Sequence, residues 1–142
     1  MKRQAFLTIA AVEASLFGAI ALVIPGAAAG VSLTPYDVFL ARSIGTLLLT
    51  VGIITWSVRR EAASNALRGI LSANVFMHAL LASIDITNTL GGTLGPSAWF
   101  GISVHVAFIA GFTYYLVRMR VPRATRAVDV PAQAAPSATL PA

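Results

Sequence analysis

Cysteine is missing from this 142-residue chain altogether. That excludes a disulfide scaffold, thiolate metal sites and the Cys-x-x-Cys chemistry of membrane thiol oxidoreductases, and it leaves the redox compartment unmarked. Charge is nearly as scarce: 11% of residues are Asp, Glu, Lys or Arg, against about 25% in soluble domains. Catalytic signatures are wanting too. No Gly-x-Ser-x-Gly elbow surrounds Ser72, Ser83 or Ser103, and no His-Glu-x-x-His ligand pair occurs. The serine hydroxyls are expected to bond back to the preceding helical turn. What fills the chain is apolar, with 57% hydrophobic residues and a mean hydropathy of +0.80.

The apolar residues gather in four runs, at about 5–24, 36–57, 69–90 and 98–117, each near the ~20 residues a membrane-crossing helix needs. The expected fold is therefore all-α: a four-span transmembrane bundle with up-down topology, occupying residues 1–126. The segment 127–142 is Ala/Pro-rich and almost uncharged, and is expected to be a disordered cytoplasmic tail. Span one competes with a signal-peptide reading, since Lys2 and Arg3 precede the run and Ala27-Ala28-Ala29 resembles a cleavage site. Against cleavage, the run is too long and carries Glu13 near its centre. Thr34-Pro35-Tyr36-Asp37 opens span two as a capping box, which makes Thr34 and Asp37 helix caps rather than functional groups. Gly45 and Gly52 share one face of that span and permit close approach of another helix. Glu61 to Arg68 reads as a polar loop with a short helical turn, and Gly91-Gly92-Thr93-Leu94-Gly95-Pro96 as a tight turn before span four.

Lys2, Arg3, Arg59, Arg60, Arg68, Arg118, Arg120, Arg123 and Arg126 all fall on one side of such a bundle, and the opposite loops contain no Lys or Arg. This positive-inside pattern predicts both termini in the cytoplasm and a multi-pass protein of a bacterial inner membrane. Arg118, Arg120, Arg123 and Arg126 would meet anionic lipid headgroups, each worth about 1 kcal/mol near the surface. The formal charge of +5 is thereby accounted for, and no nucleic-acid partner is implied.

Span three carries Asn74, His78, Asp85 and Asn88 within an arc of roughly 80°, a polar stripe that lipid cannot solvate and that must face other helices. Helix rise places Arg42, Asp85 and His105 at depths of about 7–10 Å from one face, and Glu13 and His78 about 12–14 Å from the other. The structural reading of these two layers pairs Arg42 with Asp85, and Glu13 with His78 or Asn74, as interhelical glue. The functional reading holds that intramembrane ionisable groups mark a pocket or a relay. A bis-histidine haem between spans three and four suffers from a depth mismatch of about 6 Å. A metal site of Glu13, His78, Asp85 and His105 lacks any closely spaced ligand pair, so no metal is assigned. A quinone or proton site asks least, namely a titratable group beside an apolar cavity. Phe108, Phe112 and Tyr115 would either line that cavity or simply pack.

The run Leu40-Ala-Arg-Ser-Ile-Gly through Arg60, Asn74 in span three, Asn88-Thr-Leu90, Trp99 after the turn and His105 in span four together resemble small bacterial DoxX-like four-helix membrane proteins, a group of unknown function. The resemblance spans Gln4 to Arg120. It implies a compact four-span bundle with both ends inside and carries no catalytic residues over.

Two functions are compatible with these features. One is a non-enzymatic accessory or scaffold subunit of a larger inner-membrane assembly, or a homo-oligomer, motivated by short loops and glycine-lined faces. The other is a small-molecule site, quinone-like or lipid, or a proton relay, in the bundle interior.

Overall fold

The computed structural model describes residues 1–26 and 33–119. The tail expected at 127–142, and with it Arg120, Arg123 and Arg126, lies outside the described residues. Four helices follow in chain order: α1 (Arg3–Val23), α2 (Pro35–Ser57), α3 (Asn65–Leu90) and α4 (Ala98–Arg118). Each is long and apolar enough to cross a membrane, with mean hydropathies of 2.1, 1.9, 1.5 and 1.6. The chain is thus an all-α protein with the makings of a multi-pass membrane protein. Outward-facing apolar side chains support this on every helix: Leu16, Phe39, Leu47, Ile53, Phe76, Ile84, Phe100 and Val117 are each more than half exposed. Apolar surface on all sides suits contact with acyl chains and would not stay dispersed in water.

The helix starts follow from short polar side chains. The Thr34 hydroxyl accepts from the Asp37 backbone N–H at 3.2 Å, and the Asp37 carboxylate accepts from the Thr34 N–H at 3.0 Å. Two otherwise unpaired backbone donors are satisfied reciprocally, as the capping-box spacing predicts. Helix α3 begins at Asn65, four residues ahead of the expected start, because the Ser64 hydroxyl accepts from the Leu67 N–H at 3.1 Å. Half of the polar stretch 61–68 is therefore helix, and Ser64 is the cap that marks its start. At the other end, Gly92 adopts a φ of 74°, which a residue without Cβ enters at no steric cost.

Packing runs along two hairpins. In the first, residue numbers descend on α1 as they rise on α2, so the helices are antiparallel. A Cβ on Gly18 would stand 2.8 Å from the Gly45 carbonyl oxygen, and one on Gly45 would stand 2.7 Å from that of Gly18. Gly52 likewise lies against Ala11 and Ser15. The glycine face expected on span two is thus filled by α1 of the same chain. In the second hairpin, His78 meets His105 and Asp85 meets Gly101, again antiparallel.

The hairpins join through aromatic packing at one end. Phe6 of α1 lies edge-on to Phe112 at a centroid separation of 4.9 Å and beside Phe108 at 5.9 Å. Leu7, Leu67, Leu71 and Phe112 are fully buried there. The aromatic face of span four is therefore core at Phe108 and Phe112 rather than a ligand wall. Glu13, His78, Asp85 and His105 lie together around a cavity that all four helices border.

Candidate functional site

All four helices line a cavity of about 300 Å³ between the two hairpins. Its polar lining consists of Glu13 from α1, His78 and Asp85 from α3, and His105 from α4. Its apolar lining includes Phe17, Leu48, Met77, Leu81, Phe100 and Val104. Four of the seven polar positions expected to form an intramembrane site thus share one chamber.

The two histidines make direct contact, with their Nδ1 atoms 3.0 Å apart. Between neutral imidazoles such a contact requires one ring to donate Nδ1–H and the other to accept. His105 Nε2 lies 3.6 Å from Asp85 Oδ2. The carboxylate favours the tautomer of His105 that carries its hydrogen on Nε2, which leaves Nδ1 as acceptor from His78. The result is an ordered series, His78 to His105 to Asp85, in which the middle ring holds a neighbour on each nitrogen. An imidazole so placed can take a proton at one nitrogen and give one up at the other.

His105 also corrects the picture of two separate layers. Helix rise assigns His78 to a midplane layer and His105 with Asp85 to another, yet the rings touch. Depth counted along helix axes ignores the reach of the side chains, and two imidazoles leaning toward each other close an offset of about 6 Å. The contact also bears on haem ligation. Two axial nitrogens on opposite faces of a haem iron stand about 4 Å apart, twice a metal–nitrogen bond length, so facing Nδ1 atoms at 3.0 Å leave no room for an iron between them. Among the described residues, no three His, Asp or Glu side chains are grouped to hold a metal.

His78 is held firmly. It is 3% exposed, and its ring stacks on Phe108 at 5.0 Å with an interplanar angle of 16°. Phe112 stacks on it at 5.8 Å. The aromatic core thus fixes the ring that reaches His105, linking packing at one end of the bundle to the chemistry of the cavity. Asp85 and His105 are more open, at 29% and 16% side-chain exposure. Gly101 keeps space beside the carboxylate, since a Cβ there would meet only Asp85 Oδ2, at 3.7 Å.

The remaining expected residues go elsewhere. Arg42 is exposed and lines a separate recess with Pro35, Val38, Phe39, Ser43 and Thr46. Its expected pairing with Asp85 is not made; His105 occupies that role, because α4 and not α2 packs beside Asp85. The Asn74 amide donates to the Ile70 carbonyl at 2.9 Å and that of Asn88 to the Ile84 carbonyl at 2.9 Å, both one turn back in α3. Their stripe positions are as expected, but these amides are satisfied within their own helix. Glu13 lines the cavity half-buried, and among the described residues no hydrogen bond joins it to His78 or Asn74. Ser83 and Ser103 donate to Ala79 and Trp99 one turn back, at 2.8 Å each, as expected for serines in apolar helices.

Sequence reasoning missed the apolar wall. Met77 and Leu81 flank His78 on α3, and Gly101 and Val104 lie one turn and one residue before His105 on α4. Projecting the neighbours of each histidine around its helix would have found them. Comparison with known proteins finds no matching family model, no matching curated protein and no matching solved structure.

Proposed function

We propose that this chain is a multi-pass, up-down membrane protein whose interior cavity binds a small amphiphilic molecule, a quinone-like ring or a lipid. Its apolar body would lie against Phe17, Leu48, Leu81 and Val104, and its carbonyl or hydroxyl would meet the His78–His105–Asp85 series. One observation carries this reading: ionisable groups from α1, α3 and α4 line a single, otherwise apolar cavity at the heart of the four helices. Such a chamber, apolar with a few convergent polar groups, is the usual form of a small-molecule site. Ionisable residues in this setting are costly to keep without a use. The one-sided distribution of Lys and Arg supports cytoplasmic termini.

Of the features that motivate the accessory-subunit reading, the short loops stand, while Gly45 and Gly52 on the glycine-lined face are covered by α1 of the same chain. The interior site is therefore preferred. The DoxX-like resemblance agrees with a four-span bundle and adds no residue roles.

Titration of the detergent-purified protein with a short-chain benzoquinone and, separately, with a fluorescent fatty acid tests the proposal. Saturable binding that weakens about tenfold in Asp85→Asn and His105→Ala, with helix content unchanged, is expected when a polar contact to the ligand is lost. Absence of saturable binding of either probe to the wild type overturns it. Variants that bind as the wild type does and lose only thermal stability would return the series to a structural role.

A further inference from the structure

Four arginines from three different helix ends converge on a second recess, of about 490 Å³, away from the interior cavity. Arg3 stands at the start of α1, Arg59 and Arg60 just past the end of α2, and Arg118 at the end of α4. Tyr115 and Met119 complete much of the wall. We infer that this recess is a binding site for a phosphoryl anion, with the guanidinium groups as its ligands.

The way the arginines are held points to this chemistry. Arg3 donates to the backbone carbonyl of Glu61, which ties α1 to the segment after α2. Arg59 donates to the Trp56 carbonyl at 2.5 Å and lies 3.7 Å from the centre of the Trp56 ring. Arg118 lies 4.8 Å from the centre of the Tyr114 ring. Every one of these partners is neutral. Among the described residues, none of the four guanidiniums forms an ion pair with a carboxylate. Carbonyls and aromatic faces orient a guanidinium without cancelling its charge, whereas a carboxylate would consume it. Tyr115 adds a brace, donating its hydroxyl to the Met1 carbonyl at 2.6 Å, so the mouth of the recess is tied to the start of the chain.

Four like charges that form no ion pair among the described residues repel one another, and an anion bound among them removes that repulsion. The planar, forked guanidinium matches a phosphoryl group in two-point contact, and the abundance of Arg over Lys in this chain suits that geometry. A lipid headgroup and a soluble phosphate share this chemistry. The exposed Trp56 and Val117 beside the arginines give a lipid's acyl chains an apolar surface to follow.

Thermal unfolding of the full-length protein in phosphate-free dodecyl maltoside distinguishes the sources. Phosphatidylglycerol, phosphatidylcholine and inorganic pyrophosphate are added in separate titrations. The double variant Arg59→Gln/Arg118→Gln is run alongside Arg68→Gln, which removes a charge outside the recess. A saturable rise in melting temperature with phosphatidylglycerol, its half-point weakened at least about tenfold in the double variant and unmoved in Arg68→Gln, is the expected result and assigns a lipid source. The same pattern with pyrophosphate alone assigns a soluble anion. If the double variant does not fold, the exposed Arg60→Gln replaces it. Equal responses in the wild type and the recess variants, equal loss in Arg68→Gln, or no response of the wild type to either anion overturns the inference.

Discussion

Between α1 and α2 backbone meets backbone, whereas between α3 and α4 side chain meets side chain. Gly18 and Gly45 bring the first pair so close that an added Cβ would fall on main-chain atoms, and one on Gly52 would fall on the Ser15 hydroxyl. The second pair meets through imidazoles, with His78 and His105 touching through their ring nitrogens and Asp85 beside them. Close glycine contact maximises van der Waals attraction, which is the chief force between helices once lipid replaces water. It leaves no volume for anything else. The polar hairpin gives up some of that attraction and gains space lined with hydrogen-bonding groups. The glycine hairpin contributes Glu13 to the cavity, and the polar hairpin contributes His78, Asp85 and His105.

The sharpest way to break this contrast is Gly45→Val. Its side chain would enter the Gly18 carbonyl and the Leu22 amide, and a loss of about 2–3 kcal/mol in stability is expected, measured by denaturant titration in mixed micelles. Thr55→Val acts in the opposite direction within the same hairpin. The Thr55 hydroxyl is buried with no hydrogen-bond partner among the described residues, so an isosteric methyl should stabilise by about 1–2 kcal/mol in the same assay. In the polar hairpin, His105→Ala removes the central ring of the series. A smaller loss of about 0.6–1.7 kcal/mol is expected there, as for other hydrogen bonds between membrane helices, with the larger effect falling on ligand binding. A destabilisation matching that of Gly45→Val would mean that the imidazole contact is the main strut of α3 and α4. Last, Gly69→Ala in α3 should be neutral or stabilise by up to about 1 kcal/mol, because a Cβ there meets nothing within 4 Å. If it behaves like Gly45→Val, the difference between the hairpins disappears.

Much of the fold is written in local signals. Thr34 and Asp37 mark the start of α2 by a reciprocal bond that spacing alone predicts, and hydropathy locates all four helices while missing the first four residues of α3. Ser64 carried an equally local signal for the start of α3, overlooked because the residues behind it are polar. Site residues divide differently. The stripe on α3 is legible because helical periodicity is fixed, and it correctly brings His78 and Asp85 to one face. Which neighbour each one meets is not legible. Arg42 and His105 have nearly the same calculated depth, and depth says nothing about which helix packs beside α3. Glycine spacing settles that α1 takes the face of α2, so α4 is left to supply Asp85 with its partner. Asn74 and Asn88 show a further limit, since an amide can satisfy itself on its own helix and leave no trace between helices.

Phe17 and Phe100 line the interior cavity and are themselves 49% and 75% exposed, so its rim lies on the flank of the bundle. In a bilayer that flank faces acyl chains. A molecule arriving there comes sideways out of the hydrocarbon, and what governs occupancy is its concentration in the lipid phase. A compound that partitions strongly into membranes fills such a chamber even when its intrinsic affinity is weak. A water-soluble compound with the same polar end group stays outside. On the proposed function, selection would then be made twice, first by the oil–water partition coefficient and only afterwards by the histidines and the carboxylate.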